Sequence, residues 1–408
     1  MALVAGRDRP HPTPTVRKET VVTTLTPIGP QTLRDATLPE LVARLQDNHS
    51  RKLDLVLPTS DVRFRGGNLV IEGQDPVLSG DGVTAPDGEY TTAPIVDQNL
   101  ADLFGIPVRY LRRMRAEKPE LFDANVNAWA ADADGTNLLR ILQGTDPDHP
   151  GTAGVVRAVL SSKYGFRDHL DTVMSFLQGL RAAGLDASNI TGINLSPERL
   201  YISVAAPEVA VLAKELVRDY RSPFNGRTGA ELPLMHAGIV FTNSEVGRGA
   251  FQILPQAVLE VCTNGLTRAV DGFRKVHIGG RLQEGGVNWS AETEDAANAF
   301  VQSQVKDAVA SFLSEAYLES LRDDLLREAG VELTDVVKTI EVVSKRLQYT
   351  AEEQEAILSD FIKGGQITSG GVLNAVTSVA QRIDDPDRAF DLNLTAIDAM
   401  KIAAQVAA

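Results

Sequence analysis

The stretch Met235–Leu282 reads MHAGIVFTNSEVGRGAFQILPQAVLEVCTNGLTRAVDGFRKVHIGGRL. Three apolar runs alternate in it with compact polar segments, which are Asn243–Gly249, Cys262–Gly265 and His277–Gly280. Apolar runs that are bounded by Gly, Asn and Ser are typical of strands joined by tight turns. The stretch therefore predicts a set of paired strands, and it also contains the only cysteine of the chain.

The sequence on the N-terminal side of this stretch predicts further strands and helices within residues 151–290. Val155–Leu160 is β-branched and apolar, which predicts a strand. Asp168 is a candidate N-cap for a helix that continues to about Ala183, and Glu208–Tyr220 is a second predicted helix. This order favours an α+β fold with a central mixed, mainly antiparallel sheet and packed helices, rather than a doubly wound parallel sheet.

The first 150 residues divide into two parts. Residues 1–30 are rich in Pro and Thr and predict a flexible arm. Residues 31–150 form a small N-terminal α/β region, with a hairpin at Gly66-Gly67 and a helical pair within Ala93–Leu121. The polar face of the second helix carries four arginines that can bind phosphate or pair with nearby acids such as Glu117. They are Arg109, Arg112, Arg113 and Arg115.

Beyond residue 290 no good strand pattern remains, and residues 291–408 predict an acidic, all-helical C-terminal region. One helix is expected from Ala291 to Glu328, and Thr350 begins another with a capping box that ends at Glu353. The predicted parts are thus an arm at 1–30, an N-terminal region at 31–150, a central α+β domain at 151–290 and helices at 291–408.

Composition narrows the classes of protein. The chain has 408 residues with a formal net charge of -14, which argues against unspecific phosphate binding by the whole surface. Residues 151–290 nevertheless carry a slight excess of Lys and Arg. A single cysteine and the lack of a long apolar run or secretory signal predict a cytoplasmic protein without a membrane span.

The sequence lacks the common catalytic signatures. It contains no GxxxxGK[ST], GxGxxG, HExxH, CxxC or GxSxG pattern. These absences argue against a P-loop ATPase, an ordinary Rossmann enzyme, a zincin and an α/β-hydrolase of the usual pattern. No cofactor is therefore predicted, and the residues favour a protein that is not an enzyme.

Basic residues interleaved with aromatics in the central region suggest binding of single-stranded nucleic acid, because such sites combine phosphate neutralisation with base stacking. The candidate residues for this interface are Arg157, Lys163, Tyr164, Arg248, Arg268, Arg274 and Lys275.

A second group of candidates lies in the polar segments of the opening stretch. The group consists of Asn243, Ser244, Glu245, Cys262, Asn264 and His277. Cys262 and His277 could form a nucleophile and base, and Glu245, Asn243 and His277 could supply metal ligands. The alternatives are a buried structural cysteine and tight turns. The segment Asn243–Gly249 could also hold an anion on its backbone N–H groups, with Arg248 adding charge.

Several segments together resemble the phage/plasmid-like protein family that carries a domain of unknown function (number nine-three-two). They are Ile106–Leu111 with Asn125, Arg157–Tyr164, Asn243–Gly249, Val261–Leu266 with His277, and Asn374–Thr377. The similarity runs from about residue 90 to about residue 400. It implies a bacterial cytoplasm and a role in a mobile element, and it carries no catalytic residues over to this chain.

Three hypotheses follow from the sequence. The first is a phage or mobile-element DNA-metabolism protein that binds single strands, promotes annealing without ATP and forms homo-oligomers. The second is a metal- or thiol-dependent enzyme centred on Glu245, Cys262 and His277. The third is a non-enzymatic assembly or host-interaction protein, which the acidic helices favour.

Overall fold

A computed structural model describes residues 27–79, 82–165, 167–261, 264–267, 273–275, 284–286 and 291–407. The fold is α+β, with a mixed seven-stranded sheet, a second antiparallel sheet and an all-helical region that begins at Ala291. The predicted fold class is confirmed. Most of the predicted arm, residues 1–26, lies outside the described residues.

The elements are numbered in chain order. The strands are β1 Lys52–Pro58, β2 Arg63–Arg65, β3 Asn68–Ile71, β4 Val77–Ser79, β5 Gly82–Thr84, β6 Gly88–Thr92, β7 Thr136–Gln143, β8 Gly154–Ser161, β9 Ile190–Leu195, β10 Leu200–Leu212, β11 Leu234–Asn243, β12 Phe251–Leu259, β13 Asn264–Thr267, β14 Phe273–Lys275 and β15 Gly285–Gly286. The helices are α1 Leu38–Arg51, α2 Ile95–Phe104, α3 Val108–Glu117, α4 Pro119–Ala131, α5 His169–Ala182, α6 Lys214–Val217, α7 Ala291–Phe312, α8 Glu315–Ala329, α9 Val336–Leu347, α10 Ala351–Gly364, α11 Ser369–Ala380 and α12 Pro386–Ala407.

The first sheet has the strand order β15-β1-β7-β8-β6-β3-β2. It is mixed because β6 runs parallel to β8, whereas the other neighbouring strands are antiparallel. Side chains alternate between the two faces of a strand, so Leu53 and Leu55 of β1 pack on one face with α2, α3 and α4. The opposite face carries two buried charges, Asp54 and Arg140.

The second sheet has the order β13-β12-β11-β10-β9, and β14 also pairs with β12. Alternate residues of β11 are buried under helices. Met235 and Ala237 pack against the C-terminal helices, while Ile239 and Phe241 pack with α5 and α7. Strands β11 and β12 confirm the two strands predicted on either side of Asn243–Gly249, so this segment is a turn between paired strands.

The predicted helix Glu208–Tyr220 is wrong over its first half. Strand β10 continues to Leu212 and pairs with β11, where Ala210 lies opposite His236, after an irregularity in the register that follows Ala206. Only Lys214–Val217 is helical. Pairing with β11 satisfies the backbone groups of this segment, and tertiary pairing of this kind overrides local helix propensity.

Two further predictions differ in detail. The helix expected from Ala291 to Glu328 is divided at Ser314, whose side chain caps α8 by accepting a hydrogen bond from the backbone of Tyr317. The boundary predicted at residue 150 falls between β7 and β8, which pair with each other in one sheet. The division of the chain into domains stays a prediction.

Candidate functional site

Six charged residues form a connected group of ion pairs, here called the ionic cluster, in which four members are buried, Arg157 is half-buried and Lys52 is at the exposed edge. Its members are Lys52, Asp54, Arg140, Arg157, Asp168 and Glu245. They come from β1, β7, β8, the start of α5 and the turn after β11, so the cluster joins the first sheet to the second. Three cations face three carboxylates, and their formal charges cancel.

Arg140 lies at the centre of the ionic cluster. Its Nε and Nη2 donate to the two carboxylate oxygens of Asp54 at 2.9 and 3.2 Å, and Nη2 also donates to Asp168. Its Nη1 donates to the backbone carbonyl of Glu245 at 3.3 Å. The planar guanidinium has five donors in a fixed fork, which suits it to hold three separate chain segments together.

Arg157 reaches the cluster because of a β-bulge in β8. Arg140 lies opposite Ala158, but the next residue, Ile141, lies opposite Val156, so Arg157 has no partner in the register. A bulged residue turns its side chain out of the regular alternation. Its Nη1 donates to a carboxylate oxygen of Glu245 at 2.6 Å.

Asp168 occupies the N-cap position that the sequence predicts, but its side chain does not act as the cap. It stands at the N-terminus of α5, but its side chain makes no capping hydrogen bond. Its carboxylate instead accepts from Arg140 and, at 2.6 Å, from Lys52 Nζ. The first backbone N–H of α5, that of His169, donates to Glu245. A carboxylate from a distant turn therefore takes the place of the local cap.

The pKa values of the cluster acids follow from burial and from nearby charges. Burial alone would raise the pKa of Asp168, but Arg140 and Lys52 outweigh it and hold that pKa well below its usual range. Burial likewise opposes ionisation of Glu245, and the charges that face it in acid, on protonated His169, Arg157 and Arg140, bring its pKa down to about 2. Both groups are carboxylates at neutral pH.

His169 lies beside the cluster and is uncharged at neutral pH. Burial, opposed by Glu245 and reinforced by the positive charges of Arg157 and Arg140, lowers its pKa to about 4. The side-chain amide of Asn243 lies 3.0 Å from His169 Nδ1 and donates at 3.1 Å to the backbone carbonyl of Arg167. Because the amide nitrogen of Asn243 is a donor, Nδ1 of His169 is the acceptor of this contact. The arginines therefore stabilise the Glu245 carboxylate at neutral pH.

The rest of the turn Asn243–Gly249 is held by its own backbone and by the β9–β10 connection. Ser244 Oγ donates to the carbonyl of Glu198 at 2.7 Å and accepts from the N–H of Arg248 at 3.1 Å. Gly247 has a φ of 82°, which favours glycine. Arg248 pairs with Glu198 at 3.0 Å. These contacts favour the tight-turn interpretation over an anion site.

The space around the ionic cluster is small. A cavity of about 20 Å³ lies among Lys52, Arg140, Arg157, Asp168 and Glu245, which is the size of one water molecule. The cluster can therefore position the two sheets, but it has no room for a substrate.

A larger cleft, of about 570 Å³, lies on the other side of the turn. It opens at the end of β8, and its walls include Asn99, Leu103, Lys163, Tyr164 and Gly247. Burial raises the pKa of the Tyr164 hydroxyl to about 12, so it stays protonated. Its oxygen lies 3.4 Å from the carbonyl of Ser244, which it can donate to.

The arginines of α3 have two different environments. Arg115 pairs with Asp97 at 2.8 Å, and its guanidinium lies 4.0 Å from the ring centre of Phe122. Arg113 pairs with Glu117 at the surface. Among the residues that the structure describes, the exposed side chains of Arg109 and Arg112 have no ion-pair partner. The sequence left open whether these arginines bind phosphate or pair with acids. In the structure two of them are paired with acids, and the other two are available to a phosphate.

The predicted site residues whose side chains the structure describes do not form one surface. Arg157 and Glu245 are members of the ionic cluster. Asn243 and Ser244 belong to the turn. Lys163 and Tyr164 line the cleft. Asn264 lies on β13, and Arg274 and Lys275 lie on β14. Cys262, Arg268 and His277 lie outside the described residues.

Sequence reasoning missed four members of the ionic cluster. Two of them carry a readable signal, because Asp54 and Arg140 are single charges inside the apolar runs Leu53–Leu57 and Leu138–Leu142. A charge at an inward position of a buried strand needs a partner of opposite sign. The identity of that partner depends on strand pairing, which places Asp54 opposite Arg140.

Within the described part of the chain, no group of three or more His, Cys, Asp or Glu side chains could hold a metal ion. None of the described helices combines the length and the apolar character that a membrane span requires. Comparison of the chain with family models, curated proteins and solved structures gave no match.

Proposed function

We propose that the protein binds single-stranded nucleic acid through the exposed surface of α3 and α4. The observation that carries the proposal is the exposed face of α3, which presents Arg109, Arg112, Arg113 and Tyr110 side by side in helical spacing. Tyr110 is 49% exposed, and on α4 Trp129 is 52% exposed. Arginines that bind phosphate and exposed aromatic rings that stack on bases are the two components of single-strand binding.

This proposal moves the interface from the predicted central residues to α3 and α4. Arg157 is committed to Glu245, and Arg248 is paired with Glu198. The side chains of Arg109 and Arg112, by contrast, have no ion-pair partner among the described residues and can approach a phosphate without breaking an ion pair. The ionic cluster then has a structural role, which is to fix the two sheets relative to each other.

The biological setting is proposed from the sequence resemblance. The resemblance to the phage/plasmid-like family supports a mobile-element protein in the bacterial cytoplasm. Binding without a P-loop supports a role such as annealing, which needs no ATP, and such proteins often act as homo-oligomers. The acidic helices α7–α12 would lie away from the strand, because like charges repel.

The test is a titration of a fluorescein-labelled, unstructured single strand that contains all four bases, at several salt concentrations, read by fluorescence anisotropy. The double variant Arg109→Ala/Arg112→Ala removes two charges, so the slope of log K against log salt should become shallower by about 1.4, at roughly 0.7 per phosphate contact on a single strand. Affinity at low salt should fall by about tenfold or more.

The matched control is Lys345→Ala/Arg346→Ala, which removes the same charge from the exposed end of α9. This control should bind like the unmodified protein. Equal losses in both variants would mean that only net charge matters, and a lack of binding by the unmodified protein at low salt would overturn the proposal.

A further inference from the structure

The cleft at the end of β8 has the dimensions of a ligand site. Its volume of about 570 Å³ lies inside the range of small-molecule pockets, which is roughly 300–1,000 Å³. It lies between α2 and Gly247, and the ionic cluster does not open into it. Its lining differs from that of an apolar cavity, because most of its wall residues are polar.

The floor of the cleft is a built network of hydroxyl and amide groups. Thr59 Oγ1 donates to Asn137 Oδ1 at 2.7 Å, and Thr136 Oγ1 donates to Ser162 Oγ at 2.8 Å. Thr59, Asn137 and Ser162 are all more than nine-tenths buried. Because Ser162 Oγ accepts from Thr136, its own hydroxyl hydrogen is available to a second acceptor.

The rim of the cleft carries charges of both signs. Lys163 is exposed, and among the described residues its ammonium has no ion-pair partner. Asp102 and Asp134 lie elsewhere on the rim. The ring of Tyr164 and the side chain of Leu103 form the apolar part of the wall. A ligand that fits this lining has one anionic group, a flat apolar body and hydrogen-bond donors at its edge.

We infer that the cleft binds one nucleotide, with its phosphate at Lys163 and its base against Tyr164 and the polar floor. This inference rests on the proposed function and deepens it, since a bound strand would insert a single unstacked base here. The exocyclic amino groups of adenine, cytosine and guanine can donate to Asp102 or Asp134, whereas thymine offers only an N3–H that is flanked by two carbonyl oxygens, which a carboxylate repels. The cleft should therefore prefer those three bases over thymine.

The experiment is calorimetric titration of the full chain with each of the four 2′-deoxynucleoside 5′-monophosphates. We expect binding of the adenine, cytosine or guanine nucleotide that is at least several-fold tighter than that of thymidine monophosphate. Lys163→Ala should weaken it by about tenfold, because a charged hydrogen bond contributes roughly 1.5 kcal/mol or more. Lys163→Arg should restore most of the affinity, and Lys338→Ala on α9 is the control that should leave it unchanged.

The variants of α3 separate this inference from the proposed function. If Arg109→Ala/Arg112→Ala weakens oligonucleotide binding while no monophosphate binds, the cleft inference is overturned and the proposed function stands. A second outcome is that a monophosphate binds and loses the expected affinity in Lys163→Ala, while oligonucleotides bind no more tightly than the monophosphate. In that case the cleft stands as a site for free nucleotides and the proposed function fails. Binding that is indifferent to Lys163→Ala would also overturn the cleft inference.

Discussion

The ionic cluster and the exposed face of α3 use the same side chain in opposite ways. The guanidinium of Arg140 is 3% exposed and holds Asp54, Asp168 and the backbone of Glu245. Arg109 and Arg112 project from α3 into solvent, without an ion-pair partner in the described chain. The difference teaches that local charge density is a poor guide to function, because strand pairing decides which arginines are already neutralised.

The largest effect is expected from removing Arg140. Arg140→Met leaves Asp54 buried without its partner and should lower the free energy of unfolding by about 3–5 kcal/mol. Urea denaturation measures this loss. The double variant Arg140→Met/Asp54→Leu retains the pairs Lys52–Asp168 and Arg157–Glu245, so it should recover at least half of the stability. A double variant that is less stable than the single one would show that the cluster cannot be divided in this way.

A smaller effect on the free energy of unfolding is expected from lowering the pH. The pKa of His169 is about 4 in the folded protein against an ordinary 6.5, so between these values the unfolded chain binds more protons. Stability should therefore fall as pH drops from about 6.5 towards 4, by about 3 kcal/mol from this residue, at roughly 1.36 kcal/mol per pKa unit.

Urea denaturation at a series of pH values measures the effect of His169. His169→Gln should be less stable at pH 7, but its stability should depend less steeply on pH between 6.5 and 5. In that window Glu245 and Asp168, whose pKa values are lowered, do not yet gain protons, while the pKa of Asp54, which burial raises, acts in the opposite direction. An unchanged slope would show that another group carries the pH dependence.

Arg115 should have an intermediate effect because it is only partly buried. It pairs with Asp97, donates to the backbone carbonyl of Gly67 and lies over the ring of Phe122. Arg115→Ala should lower the free energy of unfolding by about 2 kcal/mol, since it leaves a buried carboxylate without its charged hydrogen bond. Thermal or urea unfolding of Arg115→Ala and of Arg113→Ala, measured side by side, checks this value. Arg113→Ala should lower the free energy of unfolding by only about 0.3–0.5 kcal/mol.

The smallest effect on stability is expected on the exposed face of α3. Arg109→Ala/Arg112→Ala should change the free energy of unfolding by less than about 0.5 kcal/mol, because both side chains are exposed and lack ion-pair partners in the described chain. The same urea assay measures it. A loss above about 1 kcal/mol would mean that these arginines are structural, and the contrast with Arg140 would disappear.

Local features of the fold could be predicted from the sequence. Gly105 ends α2 with a φ of 66°, and Gly66 and Gly67 form the predicted hairpin turn, both with positive φ. Thr350 forms the predicted capping box with Glu353. These features depend on residues within a few positions of each other, and the short-range conformational preferences of Gly and Thr determine them.

The site could not be predicted in the same way, since its contacts are long-range. The sequence identified Glu245 and Arg157 as separate candidates, but the bulge that turns Arg157 towards Glu245 depends on the register between β7 and β8. Asp168 met every local requirement of a helix cap, and the charges of Arg140 and Lys52 took its carboxylate instead. Cluster geometry therefore follows from strand register.

The span of the ionic cluster along the chain has a consequence for folding kinetics. Lys52 and Glu245 are far apart in sequence, so we expect the cluster to close only after both sheets have formed. Contacts of this kind are expected to be absent from the folding transition state and to act on the barrier to unfolding. The ionic cluster should thus set the lifetime of the folded molecule rather than the speed at which it forms.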